Sequence, residues 1–384
     1  MKEEERLRSG AVFGFFQTLM AAFAMLIPAF YFSSLNITIV IYAFLLSITD
    51  VFSFLMKPFV GYLTDKYGER KFLLAGSLVF VLSLFLIGQT FDVTTITALR
   101  IVGGIASALV FILIIIYGLR KVKDKPDKKV GSFNAIFNSG WILGLLIPGF
   151  FVDKFGINSS FYLILAVGLI WLATIFRLTK KMEMKKMDIK PSFSFLKKIP
   201  VLVIYKTMDL AAFTTFLYFF ARFALKNLGL SRSMVSMVVV IEVIAFAVSN
   251  YLIGRISNKS RRRYWIPLTV VFHLMGAIGM IFGSSLIHYF LASAFIGIAG
   301  GFVDIWLLSH ISETVKESEK GKFLGTYGWS FDLATVVGTQ VPILFILVNL
   351  NQFYSLLIFP AVIGITFIFN KLIITRNDGY GRVH

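Results

Sequence analysis

At 384 residues, with 57% hydrophobic side chains, 15% charged ones and a mean hydropathy of +0.82, the chain is too apolar for a water-soluble fold. Its 38 Lys and Arg against 20 Asp and Glu give +18, a balance whose meaning depends on where the cations lie. The absence of cysteine excludes disulfides, thiolate catalysis and Cys-bound metals.

Twelve apolar spans are predicted, at about 11–32, 37–60, 72–88, 94–119, 131–152, 159–176, 200–225, 233–254, 264–283, 286–309, 323–348 and 352–374. About 20 residues suffice to cross a bilayer. The mixed charges of residues 2–8, followed by a stretch too long for a signal h-region, predict no cleavable signal. If the spans alternate direction, 32 of the 38 cations fall on the side of the N-terminus, and only Lys154, Lys226 and Arg232 fall on the other. Such residues stay on the cytoplasmic side. The bias predicts a multi-pass protein of the plasma membrane with both termini cytoplasmic. The basicity reports topology and contact with anionic lipids, not nucleic acid.

In chain order, the first span carries Gln17 as its main polar group, and the second carries Asp50 and ends at Lys57-Pro58. Next comes a polar run, Gly61-Tyr62-Leu63-Thr64-Asp65-Lys66-Tyr67-Gly68-Glu69-Arg70-Lys71, read as a short loop between spans 2 and 3. Span 4 holds Arg100-Ile101-Val102-Gly103-Gly104, whose small residues permit close helix contact. Span 5 carries Gly131, Asn138, Gly140, Gly144, Pro148 and Gly149. The basic, Met-rich stretch 177–199 reads as a linker that adsorbs on anionic headgroups.

The second half repeats the first. Gly254-Arg255-Ile256-Ser257-Asn258-Lys259 matches the run at Gly61 with an offset of 193. Gly131, Asn138, Gly144 and Pro148 fall on Gly325, Asp332, Gly338 and Pro342 with an offset of 194. Two pairs that share one offset to within a residue predict two related halves, 1–176 and 200–384, joined by the linker.

With these features on the page, the chain resembles the major facilitator superfamily over its whole length. Gly61, Asp65, Lys66, Gly68, Arg70 and Lys71 fit that family's Gly-x-x-x-Asp-Arg/Lys-x-Gly-Arg-Arg/Lys motif, with Glu69 as one extra residue. Arg100-x-x-Gly103-Gly104 resembles the fourth-helix motif of proton-coupled members. Gly131, Gly140, Gly144 and Gly149 fit the fifth-helix pattern of drug/proton antiporters, with Leu145 in the place of Pro and Pro148 in the place of Gly. The resemblance implies an all-α integral membrane fold: twelve transmembrane helices in two pseudo-symmetric six-helix bundles, with helices 3, 6, 9 and 12 outermost. It also implies that Asp65 caps a neighbouring helix, near Gly321–Gly325. With Lys66, Arg70 and Lys71 it would form a conformational latch that holds only while the cavity is closed inside.

A charge at the bilayer centre is costly and usually faces a cavity. Spans 3, 6, 9 and 12 hold no Asp, Glu, Lys or Arg in their apolar cores; His273 in span 9 is their one group titratable near neutral pH. Glu242 and Asp332 lie about 14 Å into spans 8 and 11 at 1.5 Å per residue. Both are candidates for proton coupling or substrate binding, because burial favours the protonated carboxyl. The alternative for each is a buried, hydrogen-bonded packing role. Arg100 is a third candidate, with structural pairing to Asp92 as its alternative. Asp50 is evenly divided between the two readings. Asp209 is a candidate whose spacing from Lys206 favours a structural ion pair near the inner surface. Arg222 is expected to snorkel, and Asp304 and His273 to serve structure.

The leading reading is a secondary transporter working by alternating access, exporting apolar or cationic small molecules against protons, expected to be a monomer with no cofactor. The other reading is a proton-linked symporter or facilitator of a small organic or lipid-like solute. An enzyme is not expected: His273, His288, His310 and His384 are scattered, and there is no P-loop.

Overall fold

The computed structural model describes residues 3–67, 69–119, 126–180, 200–256, 264–314 and 320–380, with side chains described over most of this range. Among the described residues, twelve α-helices follow one another. They are α1 (Glu3–Ser34), α2 (Ile39–Tyr67), α3 (Glu69–Ile87), α4 (Val93–Leu119), α5 (Pro126–Phe155), α6 (Ile157–Lys180), α7 (Pro200–Lys226), α8 (Arg232–Ile256), α9 (Trp265–Phe282), α10 (Leu286–Thr314), α11 (Lys320–Leu347) and α12 (Ile358–Tyr380). Among the described residues, all but α5 contain a stretch long and apolar enough to cross a membrane, eleven in number. In hydrocarbon every backbone N–H and C=O must be satisfied within the segment, and the helix is what does this along a single span.

Two expectations about the elements are corrected. The polar run after Gly61 is not an open loop, because α2 continues helical through Tyr67 and α3 begins at Glu69. Nothing between Gly61 and Tyr67 breaks a helix as proline would. The twelfth span opens with a 3₁₀ turn, Gln352–Leu357, which Asn351 caps by accepting the Phe353 N–H at 3.0 Å.

The chain divides into two compact units: residues 1–193 with 217–243, and 194–216 with 244–384. This division follows spatial contact and not the sequence repeat, on which the 177–199 boundary continues to rest. In the first unit α1 packs on α4, α5 and α6, α3 on α4 and α6, and α2 on α4. In the second unit α9 packs on α10, α12 and the 3₁₀ turn. Tight turns join the helices where space is short. Gly156, at φ +85°, closes α5 with an N–H bond to the Val152 carbonyl at 2.8 Å, a left-handed position that a side chain would strain.

The internal repeat recurs in packing. In the first unit a Cβ at Gly144 would stand 2.5 Å from Ala22 Cβ and 2.9 Å from the Leu19 carbonyl. In the second unit a Cβ at Gly338 would meet Thr214 Oγ1 and stand 2.6 Å from the Ala211 carbonyl. Each contact pairs a glycine with residues i and i+3 of the facing helix, so α1 touches α5 as α7 touches α11.

A buried ion cluster and two helix clasps

Lys206 and Asp209 lie one turn apart on α7, with Nζ to Oδ2 at 3.0 Å, as their spacing predicts. The rest of their setting was not legible. Lys206 Nζ also meets Asp304 Oδ1 of α10 at 2.7 Å, and His273 Nε2 of α9 lies 3.1 Å from Asp209 Oδ1. All four residues are buried, Lys206 to 2% exposure, so the pair is no surface ion pair. The Lys206 ammonium is also 5.6 Å from the centroid of the Phe246 ring, a weak further stabilisation. Isolated charges this deep would be prohibitive; they persist because each finds an opposite charge or a hydrogen bond. Among the described residues, no set of three His, Asp or Glu is arranged to hold a metal ion, and the ammonium sits between the two carboxylates.

His273 was expected to pack on an outer helix, and Asp304 to serve structure near a helix end. A signal for His273 was present in the sequence. Thr269, His273, Gly276, Ala277 and Met280 are the buried face of α9 at helical spacing, and Thr269 donates to the Ala299 carbonyl of α10 at 3.3 Å. A histidine on the small, polar stripe of a helix faces its neighbours, not lipid.

Arg100 is 3% exposed and clasps α2. Its Nε donates to the Leu45 carbonyl and its Nη2 to the Leu46 carbonyl, each at 2.8 Å, while Thr49 Oγ1 donates back to the Arg100 carbonyl at 3.0 Å. One turn further along α4, a Cβ at Gly104 would overlap the Thr49 carbonyl, which is what lets the helices approach closely enough for the arginine to reach. Asp50 and the Tyr218 hydroxyl act on Arg100 electrostatically. Asp92 is not its partner. Asp92 caps its own helix, accepting the Thr95 N–H and hydroxyl at 2.7 Å each, and these bonds hold its carboxyl below the ordinary carboxylate range. Arg100→Lys is expected to cost about 1.5–3 kcal/mol, because one ammonium cannot bond both carbonyls as the guanidinium fork does. Unfolding of the purified variant in detergent measures this, and a wild-type midpoint would reject the clasp.

At the end of α5, Asp153 accepts the Arg232 N–H at 3.1 Å and the Ser233 N–H at 2.8 Å, the first amides of α8. Partial burial acts to raise its carboxyl. The hydrogen bonds from the Ser233 side chain and backbone and from Arg232, with the Arg232 charge, outweigh that and hold it below the usual range. Between α2 and α7, the Tyr42 hydroxyl donates to the Tyr218 carbonyl at 2.8 Å. Arg222, half-buried near the end of α7, donates from its Nη2 to the Ile37 carbonyl at 2.9 Å in the turn before α2, and its guanidinium lies 4.8 Å over the Tyr42 ring.

Glu242 on α8 and Asp332 on α11 are both buried, in different units. Of the fifth-helix residues, Gly140 and Gly144 press on α1, Pro148 is buried within α5, and Gly149 presses on Arg232 and Ser236 of α8. The Arg70 guanidinium lies 5.4 Å from the Phe176 ring centroid, and Lys71 is exposed. The side chains of Gly61, Asp65 and Lys66, and Gly68 altogether, lie outside the described residues, as do the 181–199 linker and the 257–263 copy of the polar run.

Twelve helices, eleven of them with a stretch long and apolar enough to cross a membrane among the described residues, together with a buried ion cluster between α7, α9 and α10, define a multi-pass membrane protein. The family model described as Major Facilitator Superfamily matches residues 10–339 and 202–380, and the chain belongs to that family. It is 23% identical over 330 residues to "Multidrug resistance protein 2" of Bacillus subtilis (strain 168), covering 80% of each chain. To "Quinolone resistance protein NorA" of Staphylococcus aureus (strain Mu50 / ATCC 700699) it is 31% identical over 120 residues, 30% of each chain. Among solved structures it is similar to the nucleoside transporter NupG, with a TM-score of 0.70 at 14% identity, covering 96% of this chain and 99% of that one. That likeness shows the fold alone. The chain is thus a transporter of a small-molecule substrate, with relatives named for multidrug and quinolone resistance, and not an enzyme.

Proposed function

We propose that this transporter exports apolar or cationic small molecules in exchange for protons, by alternating access between two homologous halves, residues 1–176 and 200–384. The observation that carries the proton reading is the Lys206–Asp209–Asp304–His273 cluster. One ammonium and two carboxylates carry a net charge of about minus one, which a single proton cancels. A charge imbalance buried at this depth is costly, which suits the site to a coupling role in which its net charge is neutralised and restored in each cycle. Relatives named for drug resistance support export as the direction. The cation bias of the sequence supports cytoplasmic termini in a plasma membrane, with the linker against anionic lipid. Glu242 and Asp332, buried at mid-helix, are the further carboxylates suited to binding a cation or sharing the proton. Asp50 beside Arg100 is the candidate of the first half. Gly61, Asp65, Lys66, Gly68, Arg70 and Lys71 remain the proposed latch on the cytoplasmic face, and a monomer is the proposed working unit.

The test uses everted vesicles, a lipophilic cationic dye and a pH-sensitive fluorophore. Dye accumulation in the wild type is expected to collapse an imposed proton gradient. Asp209→Asn and Asp304→Asn are each expected to lower gradient-driven accumulation at least roughly tenfold while dye counterflow persists, since each removes one negative charge of the cluster and keeps its shape. Gradient-independent transport in the wild type, or full coupling in both variants, would overturn the reading.

A further inference from the structure

With spans that alternate direction, as the cation bias of the sequence supports, the α5–α6 and α7–α8 junctions share the membrane face opposite the N-terminus. There Asp153 of α5 bonds two of the first amides of α8, and its Oδ1 lies 3.9 Å from the Arg232 guanidinium. Four N–H groups at a helix start have no partner within the helix and carry the positive end of its dipole, so a carboxylate brought from another helix is held firmly. One turn back, Gly149 leaves no room: a Cβ there would overlap the Arg232 carbonyl and stand 2.7 Å from Ser236 Cβ. The Tyr42–Tyr218 bond likewise ties α2 to α7, and the Arg222–Ile37 bond ties α7 to the turn that precedes α2. Each of these bonds joins the first sequence repeat to the second. None of them survives separation of those repeats.

We propose that Asp153 is the clasp of the outer face and the positioning residue for α8, the helix that carries Glu242, and that it must release whenever the transporter opens on that face. The placement has an internal logic. Asp65 ends the second helix of the chain and Asp153 the fifth, which are equivalent positions in the three-helix repeats that inverted topology turns to opposite faces. Asp92 is the contrast. It too is a carboxylate capping a helix start, but it bonds only its own helix, so its loss weakens α4 without freeing one helix from another. The inference needs family membership alone and stands apart from the coupling ion.

The chain has no cysteine, so a single Ser236→Cys substitution gives an unambiguous reporter beneath the clasp, at a site that is fully buried. The full-length protein in right-side-out vesicles is treated with a membrane-impermeant maleimide. Asp153→Ala in this background is expected to raise the labelling rate about tenfold, the equivalent of one charge-assisted bond. Gly149→Ala, which pushes the same helices apart without touching the carboxylate, is expected to raise it as well. Asp92→Ala is expected to leave it unchanged. Parental labelling in folded Asp153→Ala would overturn the proposal, as would an equal rise in Asp92→Ala. If Asp153→Ala does not fold, Gly149→Ala decides: faster labelling supports the clasp, and the parental rate overturns it.

Discussion

Lys206→Met is expected to destabilise the protein by about 3–5 kcal/mol, because it leaves buried charge without its partner. The ammonium lies 3.0 Å from Asp209 and 2.7 Å from Asp304. Methionine fills the same volume and supplies neither charge nor donor, so packing is kept and the loss is electrostatic. Two controls separate this from a general core defect. Adding Asp304→Asn to Lys206→Met is expected to recover part of the loss, since the second change removes an uncompensated carboxylate. The two free energies would then be strongly non-additive, as groups in one network are. The variant is also expected to regain stability as pH falls, because protonating a carboxylate removes the charge that burial penalises, whereas a packing defect has no such dependence. Unfolding midpoints in detergent at several pH values read all three. A midpoint within about 0.5 kcal/mol of wild type would mean that the cluster is solvated and carries no strain of this kind.

How far the sequence foretold this architecture differs by the kind of interaction. Span positions were legible because the bilayer imposes one length and one composition on every crossing. The α7–α8 turn predicted between residues 225 and 233 lies between Lys226 and Arg232. Lys206–Asp209 was legible because both partners sit on one helix at fixed spacing. Asp304 and His273 were not, since pairing across α7, α9 and α10 depends on how those helices rotate against one another, and hydropathy is nearly silent on rotation. Arg100 exposes a different limit. Its partners are the backbone carbonyls of Leu45 and Leu46, which every residue possesses, so no acidic residue marked the site, and the search for one led to Asp92. Asp153 was invisible for the same reason seen from the acceptor side: it bonds amides, and an aspartate at a helix end reads as solvated surface.

Gly338→Ala and Gly144→Ala are both expected to impair transport, Gly338→Ala the more, as the balance of two opposing terms. Alanine favours a helix over glycine by about 1 kcal/mol, which would stabilise each variant. Against it stands the new methyl group, 2.6 Å from the Ala211 carbonyl at Gly338 and 2.9 Å from the Leu19 carbonyl at Gly144, well inside contact distance. A flexible side chain can turn aside, but a helical carbonyl cannot, so each helix pair must move apart. Overpacking of this sort costs about 1–3 kcal/mol. At Gly338 the separation also stretches two bonds across the pair, Thr215 Oγ1 to the Gly338 carbonyl at 2.6 Å and Thr214 Oγ1 to the Ala334 carbonyl at 3.2 Å. The overpacking therefore wins, and unfolding midpoints should fall in both variants, more at Gly338. Thr214→Ala added to Gly338→Ala is expected to relieve the side-chain clash and leave the carbonyl clash, giving partial rescue only. Equal dye accumulation in wild type and both glycine variants would show that α1–α5 and α7–α11 slide apart freely, and that these glycines serve helix bending in place of close contact.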